Sequence, residues 1–280
     1  MELLLPRQRR LDLTKTRLMA ILNVTPDSFS DGGRFLGEAA CLERVAALIA
    51  AGADIIDIGG ESTRPGAADV CLDDELQRVV PVISAIRRKF PDVVISVDTS
   101  KAEVMRQAAA AGADLINDVR ALQEKNALEV AVRSQLPVCL MHMQGQPRSM
   151  QQHPAYNDVV TDVLQWLIQR AEHCQQAGIR ASQIILDPGF GFGKSLGHNY
   201  QLLAAVTAFV ASGYPVLAGM SRKSMIGQLL QRDVSERLAG SIACATIAVM
   251  HGARIIRAHD VKETADAIAV AEATMFGEFE

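Results

Sequence analysis

Asp98, Asn117 and Asp187 each stand at the end of a short apolar run, at 93–97, 115–116 and 184–186. Brought together, the two carboxylates and the carboxamide would form a hydrogen-bond ruler for a flat heterocycle rich in N–H groups. A carboxylate accepts two parallel N–H bonds from an aminopyrimidinone edge, as it does from a guanidinium. A carboxylate metal cage competes, but no H-x-x-H or D-x-D spacing supports it. Asn23 is the only obvious oxygen ligand near the first long loop. Asp54 and Asp57 are weaker candidates, and capping of a strand or helix accounts for Asp54. A second group is cationic. Gly219-Met220-Ser221-Arg222-Lys223-Ser224 follows an apolar run and opens a helical turn, where backbone N–H groups attract anions. Arg257-Ala258-His259 ends another run. Strand alternation sends Arg257 and His259 to one side, an arrangement that suits a diphosphate better than a single carboxylate.

These residues need a frame that makes distant strand ends converge. Eight apolar runs end on polar residues, and a helical stretch usually follows. The runs lie at 18–22, 55–58, 93–97, 115–116, 138–141, 184–186, 216–220 and 255–256. Runs that are apolar throughout are buried on both faces, as parallel strands are. Eight strand-plus-helix units close a (β/α)8 TIM barrel, an α/β fold whose chemistry sits at the carboxyl ends of its strands. Ala51-Gly52-Ala53-Asp54, Ala111-Gly112-Ala113-Asp114 and His251-Gly252-Ala253-Arg254 repeat one αβ joint, with looser versions at Gly178 and Gly213. A glycine there ends a helix in the left-handed conformation. The loops at the opposite end, 25–35, 59–68, 143–154 and 188–197, are longer and rich in Gly, Pro, Ser and Asp. Such loops over a barrel mouth act as lids.

The 280 residues suit one barrel domain, 1–280, with residues 1–16 as a short N-terminal extension. Hydrophobic residues make up 49% of the chain and aromatics 4%, so small and branched aliphatics must fill the core. A net charge of -4 argues against a general nucleic-acid binder and leaves an anionic small substrate open. Five scattered cysteines without a C-x-x-C pair imply free thiols in a reducing cytoplasm. The apolar stretch at the N-terminus is too short for a signal peptide, and no apolar run approaches the ~20 residues of a membrane span.

Two strings are more specific than any generic motif: Asn23-Val24-Thr25-Pro26-Asp27-Ser28-Phe29-Ser30-Asp31-Gly32-Gly33 and Gly59-Gly60-Glu61-Ser62-Thr63-Arg64-Pro65-Gly66. With Ser96-Val97-Asp98-Thr99, Ile116-Asn117-Asp118, the run from Asp187 to Lys194, Ser221-Arg222-Lys223-Ser224 and Arg257-Ala258-His259, they make the chain resemble the bacterial dihydropteroate synthases. The resemblance covers essentially the whole length. It implies the joining of p-aminobenzoate to 6-hydroxymethyl-7,8-dihydropterin diphosphate, giving 7,8-dihydropteroate and pyrophosphate. By motif, Asp98, Asn117, Asp187 and Lys223 would grip the pterin. Asn23 would bind a Mg²⁺ cofactor, and Thr63, Arg64, Arg257 and His259 would hold the diphosphate. Phe29, Pro65, Phe192 and Ser224 would shape the aminobenzoate pocket. Of these, Asp98, Lys223, Arg257 and His259 would carry the catalysis.

The nearest rival is the pterin-binding barrel of cobalamin-dependent methyltransferases. It resembles the synthases around Asp98, Asn117 and Asp187, but has no need of the cationic strings at 221–223 and 257–259. A catalytically silent paralogue would not need the whole diphosphate set, and a generic sugar-phosphate barrel leaves the first string unexplained. The family forms homodimers. The stretch 237–250 is rich in Ala, Ser, Gly and Cys, and its smooth surface would permit close helix packing, against a second copy or against the barrel itself.

Overall fold

The computed structural model describes residues 1–24, 33–61, 70–145, 150 and 154–277, with the side chains of 33–36 excepted. Eight parallel strands form the barrel: β3 (Arg17–Asn23), β4 (Ile55–Gly59), β5 (Val94–Asp98), β6 (Leu115–Asp118), β7 (Val138–Met141), β8 (Ile184–Asp187), β9 (Leu217–Ala218) and β10 (Ile255–Ala258). Neighbours in this order pair from β3 to β8, and β10 lies between β3 and β9. A parallel bridge between Leu186 and Val216 closes the ring, with the Leu186 N–H donating to the Pro215 carbonyl at 3.0 Å. The (β/α)8 architecture expected from the eight runs is therefore present. Strands β4 to β8 are buried at every position, as their mainly apolar runs require, Asp57 and Ser96 included. β9 is shorter than its run. The chain leaves the ladder at Gly219, and Lys223 follows four residues later.

Helices pack around this ring: α1 (Gly33–Ala50), α2 (Leu72–Lys89), α3 (Ala102–Ala111), α4 (Ala127–Ser134), α5 (Val159–Gln176), α6 (Leu196–Ala204), α7 (Val206–Val210), α8 (Ser224–Leu230), α9 (Leu238–Met250) and α10 (Val261–Phe276). The repeated glycines stand at the αβ joints as expected. Gly112 shows why: its φ of 114° closes α3 with bonds to the Ala108 and Ala109 carbonyls. A Cβ there would also lie 2.9 Å from Arg87 Cγ.

The N-terminal extension is more than a tail. β1 (Glu2–Leu4) and β2 (Arg10–Asp12) form an antiparallel hairpin. Its Leu3, Leu5, Leu11 and Leu13 are buried against Met19, Ile55, Val94, Leu115, Cys139, Ile185, Leu217 and Ile255. Those eight residues come one from each barrel strand, so the hairpin plugs the amino end of the barrel. Two residues on, strand alternation sets the next inward level, where Asp57, Ser96, Asn117, Asp187 and Arg257 stand with Ile21, Met141 and Gly219. An apolar floor thus lies directly beneath a polar layer.

The plug is also clamped by charge. Asp114 is fully buried, and it accepts from Arg7 at 2.7 Å, Arg9 at 3.1 Å, Arg87 and the Ile95 N–H at 3.0 Å. One carboxylate joins the hairpin turn, α2, β5 and the start of β6. Asp114→Asn would leave three arginines facing a neutral group. We expect it to cost about 3 kcal/mol in urea unfolding, the low end for breaking a buried ion pair because the arginines are partly exposed. A loss under about 1 kcal/mol would mean that solvent carries those charges instead.

Candidate active site

The polar layer is organised by Arg257. Its Nε donates to Asp57 Oδ2 at 2.6 Å and its Nη2 to Asp98 Oδ2 at 2.7 Å. Asn117 Nδ2 donates to the same Asp57 oxygen at 3.2 Å. Asp57, Asp98 and Asn117 are 1%, 8% and 5% exposed, so this network lies inside the barrel wall. Burial pushes the Asp98 carboxyl well above the usual range, Arg257 pulls it back, and Asp57 adds to the rise. Burial also works against the charge on Arg257, but Asp57 and Asp98 outweigh it and hold the guanidinium firmly protonated.

Asp187 and Lys223 face each other across the same mouth. Burial raises the Asp187 carboxyl and Lys223 opposes the rise. Burial lowers the Lys223 amine to about 8, and Asp187 opposes the fall. Lys223 Nζ donates to the Phe190 carbonyl at 2.6 Å and lies 4.6 Å from the centre of the Phe192 ring, within cation–π range. Asp187 Oδ1 accepts from the Gly189 N–H at 2.7 Å, which starts the turn carrying both phenylalanines. That turn needs glycine. At Gly189 φ is 71°, and a Cβ would overlap the His142 carbonyl.

His259 lies just beyond β10. Its backbone N–H donates to Ser221 Oγ at 3.1 Å, and its Nδ1 lies 3.1 Å from the same oxygen. The cationic string divides differently from the expectation of one anion site. Arg222, at φ 59°, turns outward and pairs with Asp260, while Lys223 turns inward. The left-handed backbone at Arg222 separates the two side chains. Ser224 is exposed at the first turn of α8, and Asn23 is exposed at the end of β3. Phe29, Thr63, Arg64 and Pro65 lie outside the described residues.

Asp57 had little weight in the sequence, although a lone aspartate inside Ile55-Ile56-Asp57-Ile58 at an inward position signals it. Asp54 is a cap as expected, accepting from the Leu18 N–H at 2.8 Å. Two further clusters fall partly within the quoted strings, at Glu61, Thr99 and Lys194, but carried no assigned role. Lys101 bridges Glu61 and Glu75, the latter fully buried and accepting from Thr99 Oγ1 at 2.6 Å. Lys194 is buried beside His142.

Residues 19–259 match the family of pterin binding enzymes. The chain is 57% identical over 265 residues to the dihydropteroate synthase of Escherichia coli strain K12, covering 95% of this chain and 94% of that protein. It is 58% identical over 264 residues to that of Haemophilus influenzae, covering 94% and 96%. The crystal structure of the Yersinia pestis dihydropteroate synthase with a sulfonamide drug superposes with a TM-score of 0.92 at 55% identity, over 98% of this chain and 99% of that one. Likeness in sequence and in fold thus extends over nearly the full length, and the chain belongs to the pterin-binding enzymes, among the dihydropteroate synthases.

Proposed function

We propose that the chain, acting as one unit, condenses 6-hydroxymethyl-7,8-dihydropterin diphosphate with p-aminobenzoate to give 7,8-dihydropteroate and pyrophosphate. The observation that carries this reading is the buried layer of Asp57, Asp98, Asn117 and Arg257, with Asp187 and Lys223 beside it. Carboxylates and a carboxamide recessed in a barrel match the N–H edge of a pterin. Asp98, Asn117, Asp187 and Lys223 take the pterin. Arg257, His259, Thr63 and Arg64 take the diphosphate. Phe29, Pro65, Phe192 and Ser224 line the aminobenzoate pocket, the site that a sulfonamide would contest.

The chemistry follows from charge. The amine nitrogen attacks the pterin methylene, and the C–O bond breaks with its electron pair leaving on the diphosphate. Negative charge grows on the leaving group, where Arg257 and His259 stabilise it. Positive charge grows on the methylene, where the field of Asp98 stabilises it. The aromatic amine is already a competent neutral nucleophile, and the ammonium it becomes is acidic enough to lose its proton to water. No strong general base is required. Exclusion of water from the reactive methylene would keep hydrolysis from competing.

Among the described residues no group of three or more His, Cys, Asp or Glu side chains could hold a metal alone. Asn23 offers one neutral oxygen at the mouth. That donor fits Mg²⁺, which keeps several waters and is held largely by substrate phosphates. When bound, Mg²⁺ would spread the charge on the diphosphate oxygens. The exposed Ile247 and Met250 of α9 and Val270 of α10 support a homodimer through these helices, a reading that a monomeric mass in solution would contradict. No helix among the described residues is long and apolar enough to cross a membrane, and the five cysteines are free, which supports a cytoplasmic setting.

Purified protein given both substrates and Mg²⁺ should yield dihydropteroate and pyrophosphate, and EDTA should stop it. Pterin binding without product would point instead to a silent paralogue or to the methyltransferase type. Lys223→Ala should lower turnover roughly 10²–10³-fold with melting unchanged. The wild-type pH profile of kcat/KM should rise as the elevated Asp98 carboxyl ionises and fall above about pH 8 as Lys223 loses its proton. Near-normal turnover of Lys223→Ala, or a flat alkaline limb, would remove Lys223 from the site. Asp187→Asn should weaken pterin binding at least about a hundredfold in calorimetry, as loss of a buried charged partner does, and unchanged affinity would sink the carboxylate grip.

A further inference from the structure

Lys194 ends the turn that follows β8, and the chemistry above makes no use of it. Its side chain is buried, with the residue 2% exposed. Its Nζ has three acceptors: His142 Nδ1 at 3.0 Å, the His142 carbonyl at 3.3 Å and the Phe192 carbonyl at 3.0 Å. An ammonium has three donors, so the set is complete. Two of the bonds reach the residue just past β7, and the third holds the turn of β8. The turn is pressed onto that same strand end. A Cβ at Gly189 would overlap the His142 carbonyl, and one at Gly193 would overlap the Gln144 carbonyl. The Tyr156 hydroxyl secures the Gly193 carbonyl at 2.7 Å. Phe192 is thus tied through its carbonyl to Lys194 while its ring lies beside the Lys223 amine.

We propose that Lys194 is a positioning residue for the aminobenzoate pocket: by tying the Phe192 carbonyl to His142 it holds the Phe192 ring against Lys223. This rests on the assignment of Phe192 to that pocket. A lysine is an expensive choice for packing alone, because burial disfavours its charge. Here burial lowers the amine to about 7, Asp187 opposes the fall and Lys223 adds to it. Burial, with Lys194 alongside, lowers His142 to about 3, so its ring stays neutral and can accept. Two carbonyls on adjacent segments repel each other, and a donor with several hydrogens is what joins them.

Lys194→Met in the full chain tests this with steady-state kinetics for each substrate. In assays below pH 7, where the Lys194 amine is charged, losing this hydrogen-bond donor should raise KM for p-aminobenzoate about tenfold, with kcat and the pterin diphosphate KM changing less than about threefold. A fall in melting temperature with all kinetic constants unchanged, or with both KM values and kcat moving together, would overturn the proposal. Should Lys194→Met fail to fold, two His142 variants decide. His142→Leu removes the Nδ1 acceptor and should raise the aminobenzoate KM, whereas His142→Asn keeps an acceptor there and should restore it. Equal values for both would overturn the proposal. A wild-type protein that makes no dihydropteroate would overturn the functional reading as well, while an active wild type without the KM split overturns only the role of Lys194.

Discussion

Everything at the barrel mouth depends on the guanidinium of Arg257 lying between two carboxylates that are removed from water. Asp57 and Asp98 stand on neighbouring strands, β4 and β5, and Arg257 reaches them from β10. An arginine can serve both because its planar fork offers donors in two directions. Remove it, and two buried carboxylates face each other uncompensated. The network gives little net stability of its own, since desolvation offsets most of the attraction. What it supplies is orientation. Asn117 is held by the same Asp57 oxygen, so Asp57, Asp98, Asn117 and Arg257 form one rigid array.

That array is possible only because of what lies beneath it. Four leucines of the N-terminal hairpin and one inward residue from each barrel strand make a dry floor. Above a dry floor, charges interact more strongly and burial moves their titration, upward for Asp98 and Asp187 and downward for Lys223. The same barrel therefore separates duties along its axis. The amino end carries the Asp114 clamp and the plug, and the carboxyl end carries the shifted acids and bases.

The turn 188–193 shows how backbone and charge cooperate. Glycines let it sit against the end of β7, Asp187 holds its first N–H, and Lys194 holds its last aromatic carbonyl. Phe190 then offers a carbonyl, and Phe192 a ring, to one amine on a different strand–helix unit. A ring and a carbonyl around a half-buried lysine keep it desolvated and aimed, which lowers its pKa toward neutrality.

Local sequence determined a good deal of this protein. Mainly apolar runs that end on Asp98, Asn117, Asp187 and Arg257 specify buried parallel strands with chemistry at their tips. Glycines after helices specify the joints, because only glycine takes the left-handed backbone without strain. The long strings around Asn23 and Glu61 are distinctive enough to place the chain in its family. Other features could not be read along the chain. That Arg222 turns out to Asp260 while Lys223 turns in depends on one left-handed residue and on α10 lying nearby. That Asp57 matters depends on Arg257, 200 residues away, coming round to close the ring. That residues 1–16 plug the barrel depends on eight strands converging to leave a hole of the right size. Sequence patterns encode which residues are buried and where elements end, because those are set by local burial and backbone sterics. Which buried groups meet is set by closure of the barrel, and only the tertiary structure decides it.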